Sequence, residues 1–379
     1  MNVEGTLAEL VRINSISARS NAEMISYLSA RAEALGFRVH SFPYTDRSGI
    51  EKVNMVAVAG TDSLETEVEL MLVGHTDTVP FDPSWSEALQ LTARDGKLYG
   101  RGACDTKGFI AAALSAVEAI EIARLRRPLA LCFTADEEIG CIGAKHLADA
   151  RAVRPRFSIV GEPTSLQPMR AGKGYCLAEL TVYGREGHSA YPALGASAIF
   201  RASRLINRIE QIAEGLKREA HAAFDPPHTT LNVGLITGGT AKNILAGQCC
   251  FTLEWRPVPG QKADQVLDLV RAAIEDERRH DQDFRCQIEV IRIDGGMETS
   301  ADSPLVRFLE GVAGQPSGTV SFGTEAPQMA ELGAQAVVIG PGNIRDAHRT
   351  GEFVPVKELH ACMSILLRAI EHFCMSSST

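Results

Sequence analysis

Short apolar runs without strict alternation of polar residues recur along the chain. This pattern is typical of strands that are covered on both faces of a parallel sheet. The runs comprise residues 68–73, 129–133, 157–160 and 336–339. Amphipathic helical patterns lie between them, including residues 21–35 and 107–123. Alternating strands and helices predict an α/β fold with a doubly wound, mostly parallel sheet.

The pattern changes between residues 175 and 294. It predicts a strand, a helix, two successive strands, a helix and a last strand, over residues 176–183, 195–217, 230–236, 250–256, 263–277 and 286–293. This βαββαβ order is that of a ferredoxin-like unit. We therefore expect a discontinuous domain of residues 1–174 and 295–379, interrupted by an inserted domain of residues 175–294.

The composition is that of an ordinary globular protein. The 379-residue chain is 45% hydrophobic and 22% charged, which allows a packed core, and its length favours two domains. Its formal net charge is -9. Because nucleic acids and anionic membranes both select a concentrated basic patch, we expect neither as a partner.

The cysteines and the apolar runs bear on the cellular compartment. Nine cysteines are scattered without a CxxC pair, which favours reduced core residues over disulfides or thiolate metal ligands. The longest apolar runs fall short of the roughly 18 to 20 residues that span a bilayer. The first residues also lack the basic segment of a secretory signal. We expect a cytoplasmic protein.

Acidic and histidine residues follow the apolar runs. In an open α/β sheet, ligands bind beyond the carboxyl ends of the strands, so residues placed there are candidates for a functional site. The candidates are His75, Asp77, Asp105, Glu137, Glu138, Glu162 and His348. Taken singly, each is as easily explained by a hydrogen-bonded structural side chain or a turn. Their repeated occurrence at strand ends predicts a metal enzyme.

This set of side chains is rich in oxygen and free of sulfur, as in catalytic rather than structural zinc sites. Two histidines and three carboxylates suffice for two metal ions if one carboxylate bridges them. One of Glu137 and Glu138 can then bind metal while its neighbour transfers protons. The carboxylate of Asp77 can accept a hydrogen bond from the second ring nitrogen of His75, which would orient that ring.

In order and over essentially the whole chain, these motifs resemble the zinc aminoacylase and carboxypeptidase family, whose members carry an inserted dimerisation lid. More narrowly, the chain resembles the acetylornithine deacetylase branch of that family. The resemblance implies two Zn²⁺ ions, with Co²⁺ as an alternative. One ion would be bound by His75 and Glu162 and the other by Glu138 and His348, with Asp105 bridging them.

The resemblance also implies roles for further residues. Glu137 would be the general base and acid, and Asp77 would support His75. In the inserted lid, His188 within residues 184–190 would reach the active site of the partner subunit and stabilise the oxyanion. Its alternative is a histidine in a surface turn.

Three residues are candidates for contacts with the substrate. Asn243 and Arg256 match lid positions that grip a substrate carboxylate, although Arg256 could instead be a strand-end charge that faces water. Glu325, in residues 322–327, resembles the Thr-Glu-Ala-Pro run of the acetylornithine deacetylase branch. A buried glutamate there would require a cationic partner on the substrate, whereas an exposed one would be a helix N-terminal charge.

The resemblance implies a homodimeric enzyme that removes the acetyl group from N2-acetylornithine and releases ornithine and acetate for arginine synthesis. Its partner would be a small N-acyl amino acid. The alternatives within the same chemistry are a deacylase of acetylcitrulline, acetylmethionine or succinyl-diaminopimelate, or a dipeptidase. From a different class, the alternative is a catalytically inert homologue that binds metal.

Overall fold

The computed structural model describes residues 2–376 of the chain. Within this range the residues form two compact units. The first unit consists of the residues up to Arg170, of Glu298–Gly318 and of those from Thr324 onward. The second consists of Ala171–Met297 and Thr319–Gly323. The boundaries expected after residues 174 and 294 lie a few residues from these.

The strands in chain order are β1 (Arg38–Thr45), β2 (Glu51–Ala59), β3 (Glu67–His75), β4 (Thr92–Arg94), β5 (Lys97–Tyr99), β6 (Leu129–Thr134), β7 (Arg154–Val160), β8 (Met169–Gly172), β9 (Tyr175–Tyr183), β10 (Thr230–Gly238), β11 (Gln248–Arg256), β12 (Arg285–Asp294), β13 (Met297–Glu298), β14 (Gly318–Val320), β15 (Gln335–Val338) and β16 (Phe353–Pro355). The α-helices are α1 (Val3–Arg12), α2 (Ala22–Ala34), α3 (Lys107–Glu118), α4 (Ile142–Asp149), α5 (Ala198–Leu216), α6 (Gln265–His280), α7 (Pro304–Ala313), α8 (Ala326–Glu331) and α9 (Val356–Ile370).

Parallel strands form the centre of the main sheet in the first unit. Strands β6, β3, β7 and β15 are neighbours in this order and run parallel. The antiparallel strands β2 and β1 extend the sheet beyond β6. These four parallel strands are the four apolar runs of the sequence, which confirms the predicted mostly parallel α/β sheet. The runs do not indicate β1 and β2.

Helices cover both faces of this sheet. Leu70 and Leu72 of β3 belong to a core cluster that also contains residues of α1, α2, α3, α7 and α9. The alternate residues Met71 and Val73 are equally buried but point to the opposite face, where α4 and α8 lie. Helix α3 has no exposed side because it is apolar almost throughout and packs between the sheet, α1 and α9. The sheet is therefore doubly wound, as predicted.

The second unit has its own sheet and core. Its strands are arranged in the order β10-β11-β9-β12, and every neighbouring pair is antiparallel. Helices α5 and α6 contribute Leu205 and Val270 to a cluster with Leu180 and Phe251 of the sheet. The βαββαβ order confirms the predicted ferredoxin-like architecture.

Candidate metal centre

Most of the predicted site residues of the first unit lie where parallel strands end. His75 is the last residue of β3 and is level with Thr134, the last residue of β6, so the loop with Glu137 and Glu138 begins beside it. Strand β7 ends at Val160, two residues before Glu162. The chain thus brings distant residues to one edge of the sheet, as expected for an open α/β sheet.

A single aspartate links two imidazoles at this edge. Oδ1 of Asp105 lies 2.9 Å from Nε2 of His75, and Oδ2 lies 3.1 Å from Nε2 of His348. Nε2 of His348 is also 2.9 Å from Oε2 of Glu138. Asp105 is buried, whereas the side chain of His348 is 48% exposed. The centre is therefore accessible from the side of His348.

The potential ligand atoms form two overlapping groups. His75, Asp105 and Glu138 form one group, and His75, Glu137 and Glu162 form the other, with the ligand atoms of each group within 4.8 Å of one another. Imidazole nitrogens and carboxylate oxygens without sulfur are ligands of catalytic zinc and related divalent ions. The donor set fits such ions.

The pKa values of this cluster indicate an excess of buried negative charge. Burial raises the pKa of Glu137 to about 8, and the charges of Glu138 and Asp105 act in the same direction. Burial likewise raises the pKa of Glu162 well above its usual range, with the charge of Asp105 as a further cause. Bound cations would reverse these shifts, since a metal ion favours ionised carboxylates. The electrostatics thus agree with a cation site.

The two histidines are held by the carboxylates around them. Hydrogen bonds with Asp105 and Glu138 raise the pKa of His348 to about 10. For His75, burial acts to lower the pKa, but interactions with the nearby carboxylates of Asp105 and Asp77 outweigh it and keep the pKa well above its usual value. The carboxylates around both imidazoles therefore favour their protonated, charged forms.

Asp77 makes different contacts from those expected. Nδ1 of His75 lies 3.0 Å from the backbone oxygen of Asp77 and 3.7 Å from its carboxylate. The carboxylate instead accepts the backbone N–H groups of Glu137 at 3.1 Å and Glu138 at 3.3 Å, and the hydroxyl of Ser17 at 2.7 Å. Asp77 therefore orients the ring through its backbone and fixes the glutamate loop through its side chain.

Two non-glycine residues at the site adopt left-handed backbone conformations. Asp136, directly before Glu137, has φ 58°, and His348 has φ 57°. The buried Asp136 carboxylate accepts hydrogen bonds from Lys52 at 2.6 Å and from Tyr44 at 2.8 Å. Such conformations cost free energy and persist when surrounding contacts hold them. Lys52 and Tyr44 are not predicted from the sequence, because nothing in the chain around them distinguishes them from surface residues.

A glycine permits the close approach of the Glu162 segment to α3. A Cβ atom on Gly161 would lie 2.2 Å from ring atoms of Phe109, a distance that no side chain tolerates. Packing against Phe109 therefore requires glycine at position 161.

Glu325 is buried at the start of α8. Its Oε1 accepts the hydroxyl of Thr134 at 2.5 Å, whereas Oε2 has no hydrogen-bond partner among the described residues. Burial raises the pKa of Glu325 to about 7, and the charge of His75 opposes the rise. Glu325 is therefore not an exposed helix-end charge.

His188 and Asn243 lie on adjoining segments of the second unit. His188 forms an isolated β-bridge with Ile244, and the N–H of Ser189 donates to the backbone oxygen of Asn243 at 3.0 Å. Both side chains are exposed. Nδ1 of the exposed His188 ring accepts the backbone N–H of Ala190 at 3.1 Å.

Arg256, at the end of β11, is partly buried and already paired. Its Nε donates to Glu254 at 2.7 Å, its Nη1 donates to the backbone of Ser321 at 2.9 Å, and its guanidinium lies over the ring of Tyr175. It therefore does not simply face water.

Comparison with known proteins identifies the family of this chain. The model of the peptidase family M20/M25/M40 matches residues 71–372, which include every predicted metal ligand. The chain belongs to this family. The family resemblance stated from the sequence motifs is thereby confirmed.

Two curated relatives match nearly the whole chain. An acetylornithine deacetylase of Myxococcus xanthus is 53% identical over 373 residues, which cover 98% of this chain and 97% of the relative. An acetylornithine deacetylase of Salmonella arizonae is 36% identical over 374 residues, which cover 96% of each chain. Both carry the name of the branch that the motifs indicate.

Solved structures agree with the fold. A tripeptidase from Staphylococcus aureus superposes with a TM-score of 0.78 over 98% of both chains, at 22% sequence identity. At this identity, the match supports the architecture alone. Among the described residues, no helix combines the length and the apolar character needed to cross a bilayer.

Proposed function

We propose that this protein hydrolyses N2-acetylornithine to ornithine and acetate, a reaction of arginine synthesis. The observation that carries the chemistry is the placement of Asp105 between His75 and His348, next to buried glutamates at the carboxyl edge of the sheet. The substrate is supported by the name that both near-full-length relatives carry. The geometry of the site and the names of the relatives both point to hydrolysis of a linear amide.

The contacts of Asp105 support the ligand assignment that the family resemblance implies. Its two oxygens face different histidines, so it suits a bridging position between two sites. His75 and Glu162 would hold one ion, and Glu138 and His348 the other. Two Zn²⁺ ions, or Co²⁺ in their place, would supply the positive charge that polarises the scissile carbonyl and acidifies water.

Glu137 is assigned as the general base and acid. Its backbone is fixed by Asp77, and its side chain makes none of the contacts that join Asp105 to the two histidines. Glu137 takes a proton from the attacking water and passes it to the departing amine nitrogen, so that the C–N bond breaks as acetate forms.

Glu325 is assigned to the cationic side chain of the substrate. Its unpartnered oxygen is buried, and its carboxylate is close enough to His75 for the two charges to interact. A primary ammonium group would satisfy this oxygen, and acetylcitrulline and acetylmethionine lack such a group. Asn243 and Arg256 are assigned to the substrate carboxylate, and His188 of the partner subunit to the scissile carbonyl.

A homodimer formed through the second unit is supported by exposed apolar side chains there. Phe200 on α5 and Leu235 on the edge strand β10 are each 70% exposed, and Ile199 and Ile236 beside them are also exposed. Large apolar groups on a helix and an edge strand mark a surface that associates. A twofold pairing is the commonest arrangement for such an interface.

A cytoplasmic location is supported by the cysteines. All nine lie among the described residues and remain thiols, and most are buried in the core. Proteins of oxidising compartments more often pair them. The net charge of -9 supports a small-molecule substrate over nucleic acid.

The substrate is tested by comparing kcat/KM for acetylornithine, acetylcitrulline, acetylmethionine and succinyl-diaminopimelate on metal-reconstituted protein, with a dipeptide as a further substrate. Preference for acetylornithine supports the proposal. Preference for another compound refutes the substrate but not the hydrolytic chemistry. No turnover of any of them in a protein that binds metal would indicate an inert homologue.

A further inference from the structure

We propose that Glu352 is a positioning residue for the metal centre. Its buried carboxylate fixes the backbone of Asp105, and its ion pair with Arg101 ties together the loops that carry the two histidines. The inference rests on the proposed function only in that it assumes a metal centre at Asp105.

The contacts of Glu352 use both carboxylate oxygens. Oε1 accepts the backbone N–H of Cys104 at 2.9 Å and that of Asp105 at 3.1 Å. Oε2 accepts a hydrogen bond from Nη1 of Arg101 at 2.6 Å, and both side chains are buried. Hydrogen bonds to a charged group in a buried setting are strong and directional. Glu352 therefore fixes the backbone at Cys104 and Asp105.

A small sheet brings Glu352 to this position. Strand β16 begins directly after Glu352 and pairs with β5, with Phe353 opposite Tyr99. The N–H of Gly100 donates to the backbone oxygen of Glu352 at 3.1 Å and continues this ladder. The segment after His348 is thus anchored beside the segment that leads to Asp105.

Arg101 extends the link to the His75 loop. Its Nη2 donates to the backbone oxygen of Pro80 at 3.2 Å, in the segment that follows His75 and Asp77. Its guanidinium also lies 5.4 Å from the centre of the Trp85 ring. One buried ion pair therefore joins three loops, each of which carries a predicted metal ligand.

The consequence for the metal centre follows from the two contacts of Asp105. Because its oxygens face His75 and His348 separately, a displacement of its backbone moves both ligand pairs at once. Replacing a residue that hydrogen-bonds to a metal ligand typically weakens metal affinity by about 10- to 100-fold. If the ion pair only stabilised the fold, breaking it would lower the stability without a specific loss of metal affinity.

Glu352→Gln tests this distinction because it keeps the size of the side chain and removes its charge. Glu69→Gln is the matched control: Glu69 is a buried acid on β3, paired with Arg127 and Arg156, at the opposite end of the strand from His75. Both variants are measured for the melting temperature of the metal-free protein, for Zn²⁺ dissociation constants against a chromophoric chelator, and for kcat and KM.

We expect Glu352→Gln to raise the Zn²⁺ dissociation constants about 10- to 100-fold and to lower kcat more than it raises KM. Glu69→Gln should lower the melting temperature of the metal-free protein about as much as Glu352→Gln does, and it should leave Zn²⁺ affinity unchanged. Wild-type Zn²⁺ affinity in Glu352→Gln would overturn the inference. The same loss of Zn²⁺ affinity in Glu352→Gln and in Glu69→Gln would also overturn it.

Arg101→Lys provides a second test if Glu352→Gln does not fold. Lysine keeps the charge but cannot contact Glu352 and Pro80 with a planar fork. It should also weaken Zn²⁺ binding relative to Glu69→Gln, and wild-type affinity would overturn the inference. If the wild-type protein binds no divalent ion, the proposed metal centre itself is refuted. If the wild-type protein binds Zn²⁺ and the variants bind it equally well, only the role of Glu352 is refuted.

Discussion

The carboxylate of Asp77 accepts the backbone N–H of Glu137 at 3.1 Å. Asp77 thus fixes the loop that carries Glu137, the proposed base, which lies 60 positions further along the chain. Asp77→Asn should therefore lower kcat, because an amide cannot accept both N–H groups of the Glu137 loop without presenting a donor to one of them. Steady-state kinetics with saturating metal check this. An unchanged kcat would show that the loop does not depend on Asp77.

Glu137→Gln should lower kcat by about 100- to 10,000-fold, because the amide cannot transfer the proton from water to the leaving nitrogen. Metal content, measured by plasma mass spectrometry, should stay near the wild-type value. Glu137 also lies in one of the two potential ligand groups, so this measurement is decisive. Equal loss of metal and turnover would make Glu137 a ligand and leave the base unassigned.

His188→Ala should lower kcat and leave the fold intact, because the exposed imidazole makes few contacts within its own unit. If His188 acts across subunits, mixing this variant with Glu137→Gln should restore activity. Random pairing gives one intact site in each mixed dimer, or about one quarter of all sites. A mixture as inactive as its components would contradict the cross-subunit role.

Glu325→Gln should raise KM for acetylornithine and leave KM for acetylmethionine nearly unchanged, because only the first substrate carries an ammonium group for the buried carboxylate. Thr134→Val is the matched control, since it removes the hydrogen bond to Oε1 but keeps the charge. An equal effect of Glu325→Gln on both substrates would assign Glu325 to structure rather than to recognition.

The metal-free protein should lose stability as pH rises. The pKa of Glu137 is raised from 4.5 to about 8, so the stability that its protonated form contributes is present below 4.5 and is lost as pH rises through about 8. His348, whose pKa is raised from 6.5 to about 10, acts in the same direction at higher pH. Metal binding requires deprotonated ligands, so added Zn²⁺ should raise the melting temperature more at about pH 9 than at about pH 6. A metal-free melting temperature that increases over this range would contradict the electrostatic description.

The sequence predicted the parts of this structure that depend on local pattern. The apolar runs of β3 and β6 mark buried strands, and the residues directly after them, such as His75 and Glu137, follow from the general position of sites in α/β sheets. Strand β1 was not predicted, because it is partly exposed along its length and contains Pro43. Its burial pattern reflects an edge position that no local signal reveals.

The supporting contacts could not be predicted, because they join residues far apart in the chain. Lys52 meets Asp136 across 84 positions, and Arg101 meets Glu352 across 251. Charged residues of this kind usually face water, so only the fold shows that these are buried. The contact of the Asp77 carboxylate with the Glu137 loop likewise depends on how two strand ends are placed side by side.

We expect two divalent ions held around Asp105 to be needed for hydrolysis of acetylornithine. The most direct measurement is ornithine release by chelator-treated protein as Zn²⁺ is added back, with bound metal determined at each step. We expect no turnover without metal and full turnover at about two ions per chain. Turnover that persists in the metal-free protein, or metal binding that restores none, would contradict it.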